Sequence, residues 1–105
     1  MSMALDERVR SAIAALLHAT GESQADLAAA LGVSQAQVSR RQSAAATWSL
    51  TDCDAVAAHY GIDVMELLAG PTRATESLPV QRRRTTGRTT ARTRRTTAVQ
   101  DRGAR

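Results

Sequence analysis

The stretch from Ser23 to Gln42, S-Q-A-D-L-A-A-A-L-G-V-S-Q-A-Q-V-S-R-R-Q, constrains the fold more than any other part of the chain. Ser23 followed by Asp26, and Ser34 followed by Gln37, are capping-box spacings, in which side chains satisfy the orphan N–H groups of a helix start. The spacing predicts two short helices, about Gln24–Leu31 and Gln35–Gln42. Between them Gly32 stands where the first helix must stop and the chain must turn, a position that often needs φ > 0. Leu27, Ala28, Leu31, Val33 and Val38 can then meet inside, and small Ala28 lets the two helices approach closely.

Around this pair the chain reads as helix throughout. Leu5, Val9, Ile13, Leu16 and Leu17 recur at helical spacing and give a first helix one apolar face, ended by Gly21. After a loop of small residues, Ser43 to Thr47, Ser49 and Asp52 form another capping box. Cys53, Val56, Ala57 and Tyr60 make the inner stripe of the helix that follows, and Gly61 closes it. Asp63 opens a short fifth helix with Glu66 three residues on and Leu67 and Leu68 facing inward. Gly70-Pro71 is expected to stop the helical pattern. An all-α, compact five-helix domain over residues 1–70 follows, with a small core. Aromatics are nearly absent, so Trp48 and Tyr60 must carry a large share of the packing.

From Pro71 the apolar pattern vanishes, and residues 71–105 read as a separate Arg/Thr-rich tail. Residues 82–97 repeat Arg-Thr-Thr with a period near four. Low hydrophobicity and like charge favour disorder in isolation. The charge is split accordingly. All 14 basic residues are arginines. Residues 1–70 hold four of them against eight acids, net −4, and residues 71–105 hold ten against Glu76 and Asp101, net +8. A mildly acidic core with a strongly basic tail points to a nucleic-acid partner, and the tail can supply the attraction to phosphate that the core lacks.

A helix pair held at a steep angle by a short Gly turn is a helix-turn-helix, whose second helix can lie in the DNA major groove. The elements S-Q-A-D-L-A, L-G-V-S-Q-A-Q-V-S-R, W-S-L, V-A-A-H-Y-G-I-D and M-E-L-L, in that order and spacing, resemble the lambda-repressor-like (Cro/cI-type, XRE-like) DNA-binding domain over roughly residues 5–69. The resemblance implies double-stranded DNA as partner and residues 34–42 as the recognition helix. It makes Gln35 a base reader, and a Gln there can bond adenine N6 and N7 together. It gives Gln24 a phosphate contact that braces the recognition helix; the competing reading is a surface residue. Ser34 caps the recognition helix at the phosphate-facing end. Gln37 has a structural competitor in its capping box with Ser34. Ala36 can touch a thymine methyl or serve as a neutral helix former. Ser39 and Arg40 lie on the outward face one turn later, where Arg40 can read guanine O6 and N7 or hold phosphate.

Two positions depart from the family pattern. Arg41 replaces an apolar core residue and has to snorkel outward, for instance to the DNA backbone. Ala44 stands where the family tends to have Gly. In the tail, Arg82, Arg83, Arg84, Arg88, Arg92, Arg94 and Arg95 are further candidate DNA contacts. A helical tail would stripe Arg84, Arg88, Arg92 and Arg95 on one side, and an extended one could enter a narrow minor groove.

No catalytic or cofactor site is expected. His18 and His59 have no metal-ligand spacing and read as surface residues, while Cys53 falls on a core stripe and cannot form an intramolecular disulfide. Neither a phosphate-binding Gly loop nor a pair of catalytic carboxylates occurs. With no long apolar run and no signal-peptide pattern, the expectation is a cytoplasmic, nucleoid-associated protein of a bacterial host, without a membrane or small-molecule partner. The most specific expectation is a sequence-specific transcriptional repressor of the phage-immunity or plasmid type. An antitoxin-type interaction protein that regulates its own promoter is the alternative, and a non-specific architectural protein a third. A homodimer through Val64 to Leu68 and a monomer anchored by its tail are both open.

Overall fold

The computed structural model describes residues 4–83, and within them the fold is all-α. Helices α1 (Leu5–Thr20), α2 (Gln24–Leu31), α3 (Gln35–Gln42), α4 (Leu50–Tyr60) and α5 (Val64–Leu68) follow the expected order. Each of α2, α3 and α4 starts with the reciprocal capping box that its sequence predicts. Asp63 caps α5 by accepting from the Met65 N–H at 2.8 Å rather than from Glu66. The α2–α3 turn is closed at Gly32, whose φ of 73° places it in the left-handed region. The Gly32 N–H donates to the Ala29 carbonyl and the Val33 N–H to the Ala28 carbonyl, a Schellman pattern that satisfies the last carbonyls of α2.

The core gathers Val9, Ala12, Ile13 and Leu16 of α1, Leu27 and Ala28 of α2, Val38 of α3, Cys53, Val56, Ala57 and Tyr60 of α4, and Leu67 of α5. Trp48, expected to be a packing residue, is buried beside them at 8% exposure. Leu31 and Val33 pack on this core from half-buried positions, as does Leu68. Leu5 does not join it: at 52% exposure it fronts solvent at the first position of α1.

The expected stop at Gly70-Pro71, and with it the five-helix count, is corrected. Gly70 adopts φ 114° and ψ −179°, a region essentially reserved for glycine. A Cβ there would also approach Arg8 Cγ to 3.3 Å. Pro71 then occupies the first turn of a sixth helix, α6 (Pro71–Glu76), where its missing N–H costs nothing because that donor would be unsatisfied anyway. The pair therefore redirects the chain. Helix α6 runs back over α1, the most extensive helix–helix pairing in the molecule, and places Ala74 and Leu78 in the core. A 3₁₀ turn, Val80–Arg82, follows. Residues 71–83 thus belong to the folded unit. The tail was expected to be disordered from Pro71 on; its remainder, residues 84–105 with Arg84, Arg88, Arg92, Arg94 and Arg95, lies outside the described residues.

Candidate nucleic-acid interface

The N-terminal half of α3 presents an uncovered polar face. Ser34, Gln35, Ala36, Gln37, Ser39 and Arg40 are all exposed, while Val38, on the opposite side, is fully buried and fixes the rotation of the helix. The expected competition at Gln37 is resolved toward the cap. Its Oε1 accepts from the Ser34 N–H at 2.8 Å, and Ser34 Oγ accepts from the Gln37 N–H at 3.1 Å. Gln37 Nε2 remains able to donate outward. Gln24, half-buried, stands at the first position of α2, directly after its Ser23–Asp26 cap. Asp26 accepts the Ser23 backbone N–H, and this hydrogen bond holds its carboxyl below the usual carboxylate range.

Arg40 and Arg41 are adjacent in sequence and opposite in role. Among the described residues, Arg40 has no ion-pair or hydrogen-bond partner for its guanidinium. Arg41 is turned back onto the domain instead of out toward a ligand. Its Nε lies 3.2 Å from Asp52 Oδ2, a close ion pair without hydrogen-bond alignment, and its guanidinium sits 5.5 Å from the centre of the Trp48 ring. The sequence sends Arg41 outward toward the DNA backbone; here it lies against Asp52 and Trp48. The cap carboxylate of α4 and an aromatic face offer this cation a nearby, partly desolvated site. Trp48 Nε1 donates to Gln42 Oε1 at 2.9 Å, and Gln42 Nε2 donates to the Arg10 carbonyl at 3.1 Å. Arg41, Gln42, Trp48 and Asp52 thereby brace the end of α3 against α4 and α1. Sequence reasoning assigned Trp48 to packing and Asp52 to a cap, and gave Gln42 no role. Nothing in the linear pattern pairs Gln42 with Trp48.

The loop after α3 carries a matching exception. Ala44 has φ 70°, the one positive φ of a non-glycine residue among those described. The Ala45 N–H donates to the Arg40 carbonyl at 2.8 Å and the Ala44 N–H to the Arg41 carbonyl at 3.3 Å, again a Schellman closure. The position where the resembled family tends to have Gly still adopts the glycine conformation here, with alanine under strain.

Arg82 and Arg83 are also occupied within the domain. Arg82 Nη2 donates to Glu22 Oε2 at 3.1 Å and to the His59 carbonyl at 3.2 Å. His59 Nε2 lies 3.0 Å from Glu22 Oε1. Arg83 Nη2 donates to the Thr75 and Glu76 carbonyls at 2.9 and 3.1 Å, capping the C-terminus of α6. Both residues were expected to touch DNA from a tail, and both instead hold the last described segment in place. His59, expected at the surface, is half-buried in this cluster, whereas His18 is exposed.

No group of three or more potential metal ligands occurs among the described residues. Cys53 is buried, and burial, helped by the charge of Asp52, pushes its thiol above the usual range, away from the thiolate a nucleophile needs. Among the described residues no helix is long and apolar enough to cross a membrane.

A capped helix, a left-handed Gly turn and a second capped helix with an uncovered polar face define a helix-turn-helix DNA-binding domain. The chain belongs to the BetR domain family, whose model matches residues 1–102, a family of helix-turn-helix-like DNA-binding domains. No curated protein and no solved structure matches the chain.

Proposed function

We propose that the protein is a sequence-specific transcriptional repressor that inserts α3 into the major groove and acts by binding alone, without catalysis. The observation that carries this reading is the contrast along α3. Gln35, Ala36, Ser39 and Arg40 are exposed and uncommitted, while Arg41 and Gln42 one step further are locked into the domain. In this reading Gln35 and Arg40 read base edges. Gln24 and the N-terminus of α3 at Ser34 grip phosphates through side-chain and backbone donors. The lambda-repressor-like resemblance supports a repressor of the type carried by phages and plasmids, which excludes polymerase when bound at its promoter.

Two copies on a symmetric operator are part of the proposal. Leu50 and Met65 are exposed at 75% and 67% on the α4–α5 side, where Leu50, Val64 and Leu68 line a groove together with Thr51 and Asp54. That groove includes the segment through which proteins of the resembled type often pair. Selection of bound sequences from a pool of randomised duplex DNA, followed by footprinting, tests the reading. Recovery of one motif, protected as two inverted half-sites, is the expected result. Recovery of no motif would contradict sequence-specific binding, and a single unpaired half-site would contradict the dimer.

A further inference from the structure

Of the residues of α3, Val38 alone is fully buried. One apolar side chain sets which face of a helix turns inward. Hydrophobic contact is non-directional, however, and leaves the helix free to tilt about that point. The two ends of α3 are fixed by different means. The N-terminal end is tied by its own neighbours: the Gly32 turn, half-buried Val33 and the Ser34–Gln37 capping box. At the C-terminal end the backbone bonds are local too. The Ala45 and Ala46 N–H groups donate to the Arg40 carbonyl at 2.8 and 3.0 Å, which closes the loop on the helix without attaching the helix to the domain.

The attachment is made by the Gln42 amide. Its Nε2 donates to the Arg10 carbonyl within α1, and its Oε1 accepts from the indole N–H of buried Trp48. Both bonds are directional, and together they engage both polar atoms of the side chain. The neighbouring Arg41–Asp52 ion pair lacks hydrogen-bond alignment and constrains the angle less. Gln42 lies about 6 Å from Val38 along the helix axis, so a tilt of about 20° about Val38 displaces that end by about 2 Å. A group that reads a base edge must be held within about 0.5 Å and 10–20°. Arg40 stands on the exposed face, two residues before Gln42. We propose that Gln42 is a positioning residue for DNA reading. Clamped between Arg10 and Trp48, it sets the tilt of α3 and through it the base discrimination of Arg40, while Gln35, at the locally tied end, is little affected.

This inference rests on the reading that Gln35 and Arg40 contact base edges, and the test separates the two. Bound sequences are selected from a randomised duplex pool with the wild-type chain and with Gln35→Ala, Arg40→Ala, Gln42→Leu and Trp48→Phe, each checked for folding by circular dichroism. Gln42→Leu keeps a side chain of similar size and removes both hydrogen bonds. Trp48→Phe keeps an aromatic ring in the buried site and removes the donor to Gln42, so it decides the question should Gln42→Leu fail to fold. Both variants should relax base preference about tenfold at the positions that Arg40→Ala relaxes, a factor within what one bidentate pair supplies. Both should keep the preference at the positions that Gln35→Ala relaxes. Adding Gln42→Leu to Arg40→Ala should relax nothing further, because residues acting through one contact are not additive. Unchanged preference at the Arg40 positions in the folded variants, or affinity lost equally for every sequence, would overturn the positioning role alone. No base preference in the wild-type chain, or none altered by Arg40→Ala, would overturn the reading itself, and the positioning role with it.

Discussion

The α2–α3 pair and the shorter α6–Arg83 segment are held in opposite ways. In the pair, the determinants lie within a few residues of one another: Ser23 with Asp26, Ser34 with Gln37, and Gly32 closing on Ala28 and Ala29. In the C-terminal segment they are long-range. Ala74 and Leu78 pack on the core beside α1, Arg82 reaches Glu22 across sixty residues, and α6 starts without any side-chain cap. Local chemistry forms the reading head, and distant contacts hold the element that completes the core behind it.

The largest effect expected from this contrast is a difference between two truncations. Removing residues 71–105 deletes buried Ala74 and Leu78 and uncovers the α1 face beneath them. It should lower stability by at least about 3 kcal/mol, since emptying one buried Leu site alone costs 2–5 kcal/mol. Removing only residues 84–105 should leave the melting temperature unchanged. Thermal unfolding of both followed by circular dichroism checks this, and equal melting temperatures would show that α6 is dispensable.

Trp48 braces the end of α3 against the rest of the domain. Trp48→Ala should cost about 3–5 kcal/mol, because it empties a buried site, removes the donor to Gln42 Oε1 and takes the aromatic face from beside the Arg41 guanidinium. Urea titration would read the loss. A mutant of unchanged stability but lost DNA affinity would instead place Trp48 at the interface.

The smallest effect probes the one strained residue in the loop that leaves α3. Ala44 sits at φ 70° at a cost of about 1–2 kcal/mol for a residue with a Cβ. Ala44→Gly removes that strain but adds unfolded-state freedom, so a net gain of at most about 1 kcal/mol is expected. A measured loss would mean that the alanine methyl makes a favourable contact that outweighs its backbone strain.

These regions also mark how far the sequence could be read. The three capping boxes, the bounds of α2 and α3, the Gly32 turn and the buried faces of α2 and α4 were legible because each signal is complete within about two helical turns. The departure at Ala44 was legible as well, though not the left-handed backbone that survives it. Helix α6 was not legible, because Gly70-Pro71 serves equally to end a helix and to begin one. Its only apolar signature is Ala74 and Leu78, four residues apart. Arg82 and Arg83 were read as members of a basic run, since nothing local distinguishes an arginine bound for Glu22 from one bound for phosphate. Arg41 shows the same ambiguity, resolved by an aspartate eleven residues on and a tryptophan seven residues on.

The central claim is that the uncovered face of α3 reads base sequence, and Gln35→Ala tests it most directly. Affinity for the selected duplex and for a random duplex of equal length should be measured at one salt concentration. The expected result is a loss of about 1–3 kcal/mol on the selected site with little change on random DNA. An equal loss on both, or none on either, would contradict it.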